Sequence, residues 1–293
     1  TVAEVYTQIL SDLNTAETLV GLLNGSDLLN TTRIHKNTVI ALKTRVYLNM
    51  NDWPKVIAEA LKIIPQTVAP FSATTGVAHA LQVDITNVFK TPYTTKESIF
   101  SMPMTTVNLP GTQNSLTSYY CPGPSGTGEY YLNTSGILGN AGWNAADARR
   151  SFNIVSGGRT YLNKFPTGPT QTDYVPVIRY SEVLLNYAEA ETNINGITTL
   201  AVNLLNAVRE RSYPAGTYLI GSFANTFARK NVIMLERNIE LLGEGFRNMD
   251  LLRTGATIPA KSSVIAISPS DVRYVFPIPT AELTINKLIF QNQ

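Results

Sequence analysis

VIRYSEVLLNYAEAETNING (177–196) is the stretch on which the reading of the fold turns. Arg179, Glu182, Asn186, Glu189 and Asn193 recur at spacings of three and four, so on an α-helix they share one narrow polar stripe. The remaining residues are largely apolar, which predicts a helix over 177–194 packed on more than one side. Asn195-Gly196 supplies its end.

Working outward, Ala201, Leu204, Leu205 and Val208 predict a second helix closed by Pro214. A longer one follows on Ala228, Val232, Leu235, Ile239 and Leu242, with Asn225 as its cap. Near the start of the chain, Val2, Val5, Ile9, Leu13, Ala16 and Leu19 lie on one helical face behind Thr1. Beyond a polar loop over 24–33, NTVIALKTRVYLNM (37–50) places Val39, Leu42 and Val46 on one face. After Asn51-Asp52 the pattern resumes in WPKVIAEALKII (53–64), with Trp53, Val56, Ala60 and Ile63 in register and Pro54 in the first turn. Helices joined by so short a turn are antiparallel neighbours. An offset of 144 lays Ile57 on Ala201, Ala60 on Leu204 and Ile64 on Val208. Such repeated hairpins look like tetratricopeptide units, which stack because one pair alone cannot bury its apolar face.

Between Pro65 and Pro176 no helical period is sustained, and Pro, Gly, Thr and Ser are frequent. SIFSMPM (98–104) and TYLNKF (160–165) are the candidate strands in an otherwise loop-rich segment. The expected architecture is therefore mainly α, with helical hairpins over 1–64 and 177–293 and an irregular middle over 65–176, forming one compact domain.

Composition narrows the functional classes. Of 293 residues, 44% are hydrophobic and 15% charged. A surface poor in ions and rich in Asn, Thr, Ser and Tyr suits neutral ligands. No basic run exceeds Arg149-Arg150 or Arg229-Lys230, which argues against nucleic acid as a partner. Cys121 is the one cysteine, so no disulfide forms within the chain. No apolar run is long enough to span a bilayer as a helix. The chain starts at Thr1 inside a helical pattern, with neither a signal peptide nor a lipid-attachment cysteine before it.

Eight segments, in order along nearly the whole chain, resemble signatures of the SusD/RagB family. They are EVYTQILSDLNTAE (4–17), ALKTRVYLNMNDWPKVIAEALKII (41–64), ADARRSF (146–152), YLNKFPTG (161–168), VIRYSEVLLNYAEAE (177–191), LNAVRERS (205–212), ERNIELLGEGFRNMDLLRTG (236–255) and PIPTAELTINKLIFQNQ (277–293). The resemblance implies a SusD-like fold in a lipid-anchored protein on the outer face of a Bacteroidota-type outer membrane. It implies oligosaccharide as ligand and a SusC-like TonB-dependent transporter as partner, with membrane association only through the anchor. Two departures stand out. The family's lipidated N-terminal segment is missing ahead of EVYTQIL, which casts this chain as a fragment, and Asp147-Ala148-Arg149 replaces the usual Asp-Pro-Arg.

Sugar binding without chemistry needs aromatic platforms for ring faces, with amides or hydroxyls around their rims. SYYCPGPSGTGEYYLNTSGILGNAGWN (118–144) supplies Tyr119, Tyr120, Tyr130, Tyr131 and Trp143, and Asn144 among its polar residues. These six are the candidate carbohydrate-binding residues, with Glu129, Asn133 and Asn140 lying between them. The competing role for any one aromatic is to pack the loop onto the helices. Asp147 with Arg149 or Arg150 is expected to brace the loop through an exposed pair.

Catalysis finds little support. Glu182 and Glu189 lie two turns apart on one helix, about 10 Å in rise, and point the same way, whereas a glycosidase needs two carboxylates facing each other across a cleft. Interhelix hydrogen bonding is the expected role of both. Glu236, Arg237 and Glu240 resemble a solvated or salt-bridged face. His35 and His79, the two histidines, fall in a loop or helix start, and no His/Cys/carboxylate spacing suits zinc. No cofactor is expected; a calcium site built from loop carbonyls and carboxylates is the cation site the sequence leaves open. A helical scaffold for protein or peptide is the competing class, and a glycoside hydrolase ranks third.

Overall fold

Thr1 opens the first helix as expected. Its hydroxyl accepts from the Glu4 amide at 3.3 Å, and the Glu4 carboxylate reaches back to the chain's first nitrogen, a capping box that starts α1 (Val2–Leu19). The computed structural model describes residues 1–111, 114–168, 170–261 and 263–291. Grouping by contacts divides the chain into Thr1–Glu244 and Gly245–Gln293.

In the first unit a short helix α2 (Asp27–Thr32) leads to α3 (Lys36–Asn49) and α4 (Trp53–Ala60). Asp52 caps α4 by accepting from the Lys55 amide, and Pro54 sits in the first turn, where its missing N–H costs nothing. The second hairpin is α6 (Tyr180–Asn195) and α7 (Thr199–Ser212), followed by α8 (Thr226–Glu240), which Asn225 caps through the Ala228 amide at 2.9 Å. Both hairpin turns pass through the left-handed region, at Asn51 (φ 57°) and Gly196 (φ 75°). Helix α6 touches α3, α4, α7 and α8, and every residue from Tyr180 to Thr192 is buried. The multi-sided packing read from 177–194 is therefore present, with one correction. Val175–Arg179 is a strand, β4, paired antiparallel with β1 (Ser98–Met102), and the helix begins at Tyr180. Val175, Val177 and Ile178 are β-branched, and Pro176 lacks the amide that a helix interior requires.

The main core lies between these elements: Ile40 of α3, Ile63 and Ile64 after α4, Ile99 of β1, Val183 and Leu184 of α6, Leu204, Leu205 and Val208 of α7, and Ile233 of α8. The irregular segment has its own core of Ile85, Val88, Phe89, Phe152, Leu162 and Phe165. There the Phe89 ring meets Phe152 and Phe165 edge-on at 5.4 and 5.8 Å. Each buried aromatic contributes about 2–3 kcal/mol of hydrophobic stabilisation, which is how a segment with little regular structure holds a fixed shape. Its remaining regular elements are α5 (Leu116–Tyr120) and the hairpin β2 (Asn153–Ser156) with β3 (Arg159–Leu162).

A buried ion lattice fastens this segment to the helices. Glu240 accepts from Arg149 (3.1 Å), Arg179 (2.7 Å) and Arg211 (2.6 Å), and Glu236 from Arg149 (2.5 Å) and Arg209 (3.0 Å). Glu97 takes Arg179 and Arg211, while Glu244 takes Arg179 and Lys164. The face of α8 read as solvated or salt-bridged is thus salt-bridged and buried: Glu236, Arg237 and Glu240 are all inaccessible. Likewise Asp147 holds Arg149 through two bonds of 2.9 and 2.7 Å, but inside the molecule, not in an exposed pair. Desolvation opposes charge on Glu240 and Glu244, yet the surrounding guanidiniums win and hold both carboxyls below the ordinary range.

In the second unit, α9 (Phe246–Arg253) is followed by two isolated bridges, Ile258 to Ile267 and Lys261 to Val264, and by α10 (Thr280–Ile285). The Tyr274 hydroxyl reaches the carbonyls of Leu251 and Ala256 at 2.9 and 2.8 Å. The last two residues of the 277–293 signature lie outside the described residues.

Candidate functional site

Helix α5 carries Tyr119 and Tyr120, and the chain that leaves it folds straight back. The amides of Thr127 and Gly128 donate to the Ser118 carbonyl at 2.8 and 3.2 Å, and the Tyr130 amide donates to the Tyr119 carbonyl at 3.0 Å. Gly126 makes this return possible, since a Cβ there would sit 2.3 Å from the Thr117 carbonyl oxygen. The loop continues onto the β2–β3 hairpin through the Leu132 amide, which donates to the Thr160 carbonyl at 2.7 Å.

These backbone bonds gather four of the six candidates. Tyr130 lies 5.5 Å from Tyr119 and 6.1 Å from Tyr120, centroid to centroid. Tyr131 turns to the hairpin instead, edge-on to Tyr161 at 6.2 Å and under the Arg159 guanidinium at 4.6 Å. Tyr130 and Tyr131 are 58% and 50% exposed, large fractions for aromatic rings. Tyr120 is half-buried against Phe165, and its burial raises the phenol above its ordinary range, so it stays protonated. The rings themselves are uncharged, with the Arg159 cation over Tyr131 and the exposed Glu129 carboxylate directly before Tyr130 in the chain.

Trp143 has a different position. Its side chain is 2% exposed, with the Arg150 guanidinium 3.9 Å from the ring centre. Arg150 also donates to the carbonyls of Trp143 (2.5 Å) and Leu138 (3.0 Å), locking that stretch of loop. The ring is thus a packing element here and offers no open face. Asn144 is exposed, and its side-chain oxygen accepts from the Ala146 amide at 2.8 Å in a local turn; Asn133 and Asn140 make similar turns. Cys121 is buried beneath α5 with its thiol pushed up to about 11, which keeps it protonated and unreactive.

Arg159 and Tyr161 were not among the residues singled out, although the sequence carried a signal for them. In RTYL (159–162) alternate residues of a strand share a face, so Arg159 and Tyr161 come to one side together. Of the two α6 carboxylates weighed as a catalytic pair, Glu182 receives two bonds of 2.7 Å from Arg45 of α3, an interhelix clamp. Glu189 is buried on the same helix.

Comparison with known proteins agrees with this architecture. The sequence pattern of the SusD family matches residues 117–259, which include α5, the tyrosine loop and the α6–α7 hairpin. SusD-like protein P25 of Formosa agariphila is 28% identical over 167 residues, covering 50% of this chain and 31% of that protein. A SusD superfamily protein from Bacteroides fragilis superposes with a TM-score of 0.82 at 32% identity, over 98% of this chain and 63% of its own. Surface glycan-binding protein A from Bacteroides thetaiotaomicron, solved in complex with laminarihexaose, shares the fold with a TM-score of 0.75 at 20% identity, over 100% of this chain and 71% of its own. The chain thus spans about a third of the curated relative's length and under two thirds of the B. fragilis protein's. Sequence pattern, relatives and a shared mainly helical fold converge: the chain is SusD/RagB-like.

Proposed function

We propose that this chain binds neutral oligosaccharide on the tyrosine surface, without making or breaking a bond. The observation that carries the reading is the exposure of Tyr130 and Tyr131, neighbours in sequence, each at least half exposed, one beside the α5 tyrosines and the other on the β2–β3 hairpin, on a stretch held by backbone bonds to α5 and β3. A folded protein ordinarily covers much of such a ring; two left exposed on one loop offer platforms for the apolar faces of sugar rings. Arg159, Glu129 and the exposed Asn133 can hydrogen-bond hydroxyls at the rim. The glycan ligand of a SusD-fold neighbour, laminarihexaose, supports the same ligand class. A purely binding role is supported by Glu182, whose carboxylate is committed to Arg45 and is not free to act as acid or base. In the whole protein the reading extends to a lipid-anchored position on the bacterial surface and delivery of the glycan to a SusC-like TonB-dependent transporter, as the family resemblance implies.

Calorimetric titration with laminarihexaose and a panel of other neutral oligosaccharides tests the binding claim. Tyr130→Ala and Tyr131→Ala should each weaken binding by about 1–2 kcal/mol, roughly tenfold in Kd. Equal affinity in the double variant would refute the site, and release of shorter sugars by the pure protein would refute the non-catalytic reading.

A further inference from the structure

A second concavity lies on the first unit, and the described residues that line it include none of the rings just described. It encloses about 480 Å³ and is lined by Leu28, Pro92, Tyr93, Met104 and Tyr174, with Thr91, Thr94 and Thr172 supplying hydroxyls. Ligand pockets commonly begin at about 300 Å³, so the volume suffices for a small ring compound. Among the described residues, none of those lining it carries a charge. That composition disfavours an anionic or cationic ligand, because either would lose hydration without gaining a counter-ion.

The walls are rigid. Tyr93 and Tyr174 stack in parallel, 4.7 Å between centroids and 14° between planes. The buried Tyr93 hydroxyl donates to Asp173 Oδ1 at 3.1 Å, and Asp173 Oδ2 accepts from the Thr117 hydroxyl and the Thr167 amide, both at 2.9 Å. Burial and the adjacent Asp173 carboxylate push the Tyr93 phenol up to about 12, so it remains a donor at any physiological pH. Tyr93 also holds φ at +63°, a left-handed conformation that is unfavourable for a bulky residue. Such strain persists where the surroundings overdetermine it, and ligand clamps are a recurrent setting. Thr117 belongs to α5, the helix that bears Tyr119 and Tyr120, so Asp173 ties this pocket to the tyrosine surface.

We infer that the Tyr93–Tyr174 pocket is a second binding site for a neutral saccharide ring. Aromatic and aliphatic walls take the C–H faces of such a ring, and the three threonine hydroxyls take its hydroxyl edge. The ligand class rests on the reading of the tyrosine surface given above, but the site is separate and fails separately.

Met104 provides a local reporter, because it is one of the residues lining the pocket and the chain has only 5 methionines. Methyl-labelled methionine NMR would follow titration with glucose, N-acetylglucosamine, laminaribiose and, as the anionic control, galacturonate. The Met104 resonance should shift with at least one neutral sugar and not with galacturonate. Thr94→Trp, which fills the pocket, should abolish the shift, and Tyr174→Ala, which removes a wall, serves if that variant misfolds. The shift should survive Tyr130→Ala/Tyr131→Ala. A silent Met104 in protein that still binds laminarihexaose overturns the pocket and leaves the tyrosine surface standing. A Met104 shift in protein whose tyrosine variants bind like wild type does the reverse. A shift unaffected by both pocket variants also overturns the assignment.

Discussion

His35 and His79 show what a single residue's surroundings decide. They are 44 positions apart in the sequence, and yet their rings stack at 5.2 Å and 20°, both fully buried. His79 Nδ1 lies 3.0 Å from the Lys96 carbonyl and donates to it, while its Nε2 has no partner among the described residues. Burial pushes His79 down to about 4 and lowers His35 as well. With a folded value below the unfolded one, the unfolded chain takes up a proton that the folded chain refuses as pH falls from about 6.5 to about 4. Stability should therefore drop on acidification across that window, by about 3 kcal/mol from His79 alone. Urea midpoints measured at about pH 7 and about pH 5 check this, since acidic side chains barely contribute there. His79→Gln should flatten the slope, and an unchanged slope would count against the assignment. Neither the stacking nor the burial of Trp143 was legible in the sequence. A loop aromatic has no periodicity to say which way it faces, and Trp143 is buried because Arg150, seven residues later, covers it.

At the scale of elements, apolar spacing marked the buried face of α7 but not that of α8, and charge spacing did not reveal burial at all. Ala201, Leu204, Leu205 and Val208 of α7 are all fully buried, as their periodicity requires. In α8 the spacing marked Ala228, Val232 and Leu235 as the inward face, but these are only half-buried. Ile239, of the same spacing, is buried, and the other buried residues of the helix are Arg229, Ile233, Glu236, Arg237 and Glu240. Ionic residues at three- and four-residue spacing look alike whether they bond across water or across a core; only their partners on Arg149, Arg179, Arg209 and Arg211 tell the cases apart. The distinction has an energetic consequence. Glu240→Ala would remove the carboxylate that three buried guanidiniums share, leaving them only Asp147, Glu236, Glu97 and Glu244, and should destabilise the protein by about 3–5 kcal/mol. Chemical denaturation at neutral pH measures it, and a loss under about 1 kcal/mol would mean that the lattice fastens nothing. Because Glu240 and Glu244 are held below the usual carboxylate range, their share of stability is present above about pH 4.5. It is lost as pH falls further, below the window in which His79 acts.

For the whole molecule, helix order and the family signatures were enough to place the scaffold. The ligand surface was not, because it is assembled from a loop, a five-residue helix and a hairpin whose contacts span more than forty residues. The quartet of tyrosines was found by clustering in sequence, whereas Arg159, Tyr161 and the Tyr93–Tyr174 pocket required the chain to be folded. The same assembly makes a prediction about where the fold is encoded. All three apolar clusters, from Leu10 to Leu242, and the whole ion lattice, ending at Glu244, fall within the first unit. So do both candidate binding surfaces, since their highest-numbered member is Tyr174. A core of that extent, well over the size at which single domains become marginal, should fold without further support. A chain shortened to Thr1–Gly245 is therefore expected to unfold in a single cooperative thermal transition. It should also keep the wild-type affinity for whichever oligosaccharide the full chain binds, within about threefold or 0.7 kcal/mol. Circular dichroism melts and calorimetry read the two outcomes independently. A broad, non-cooperative melt would place essential core residues beyond Gly245, and a cooperative melt with lost binding would move the ligand site there.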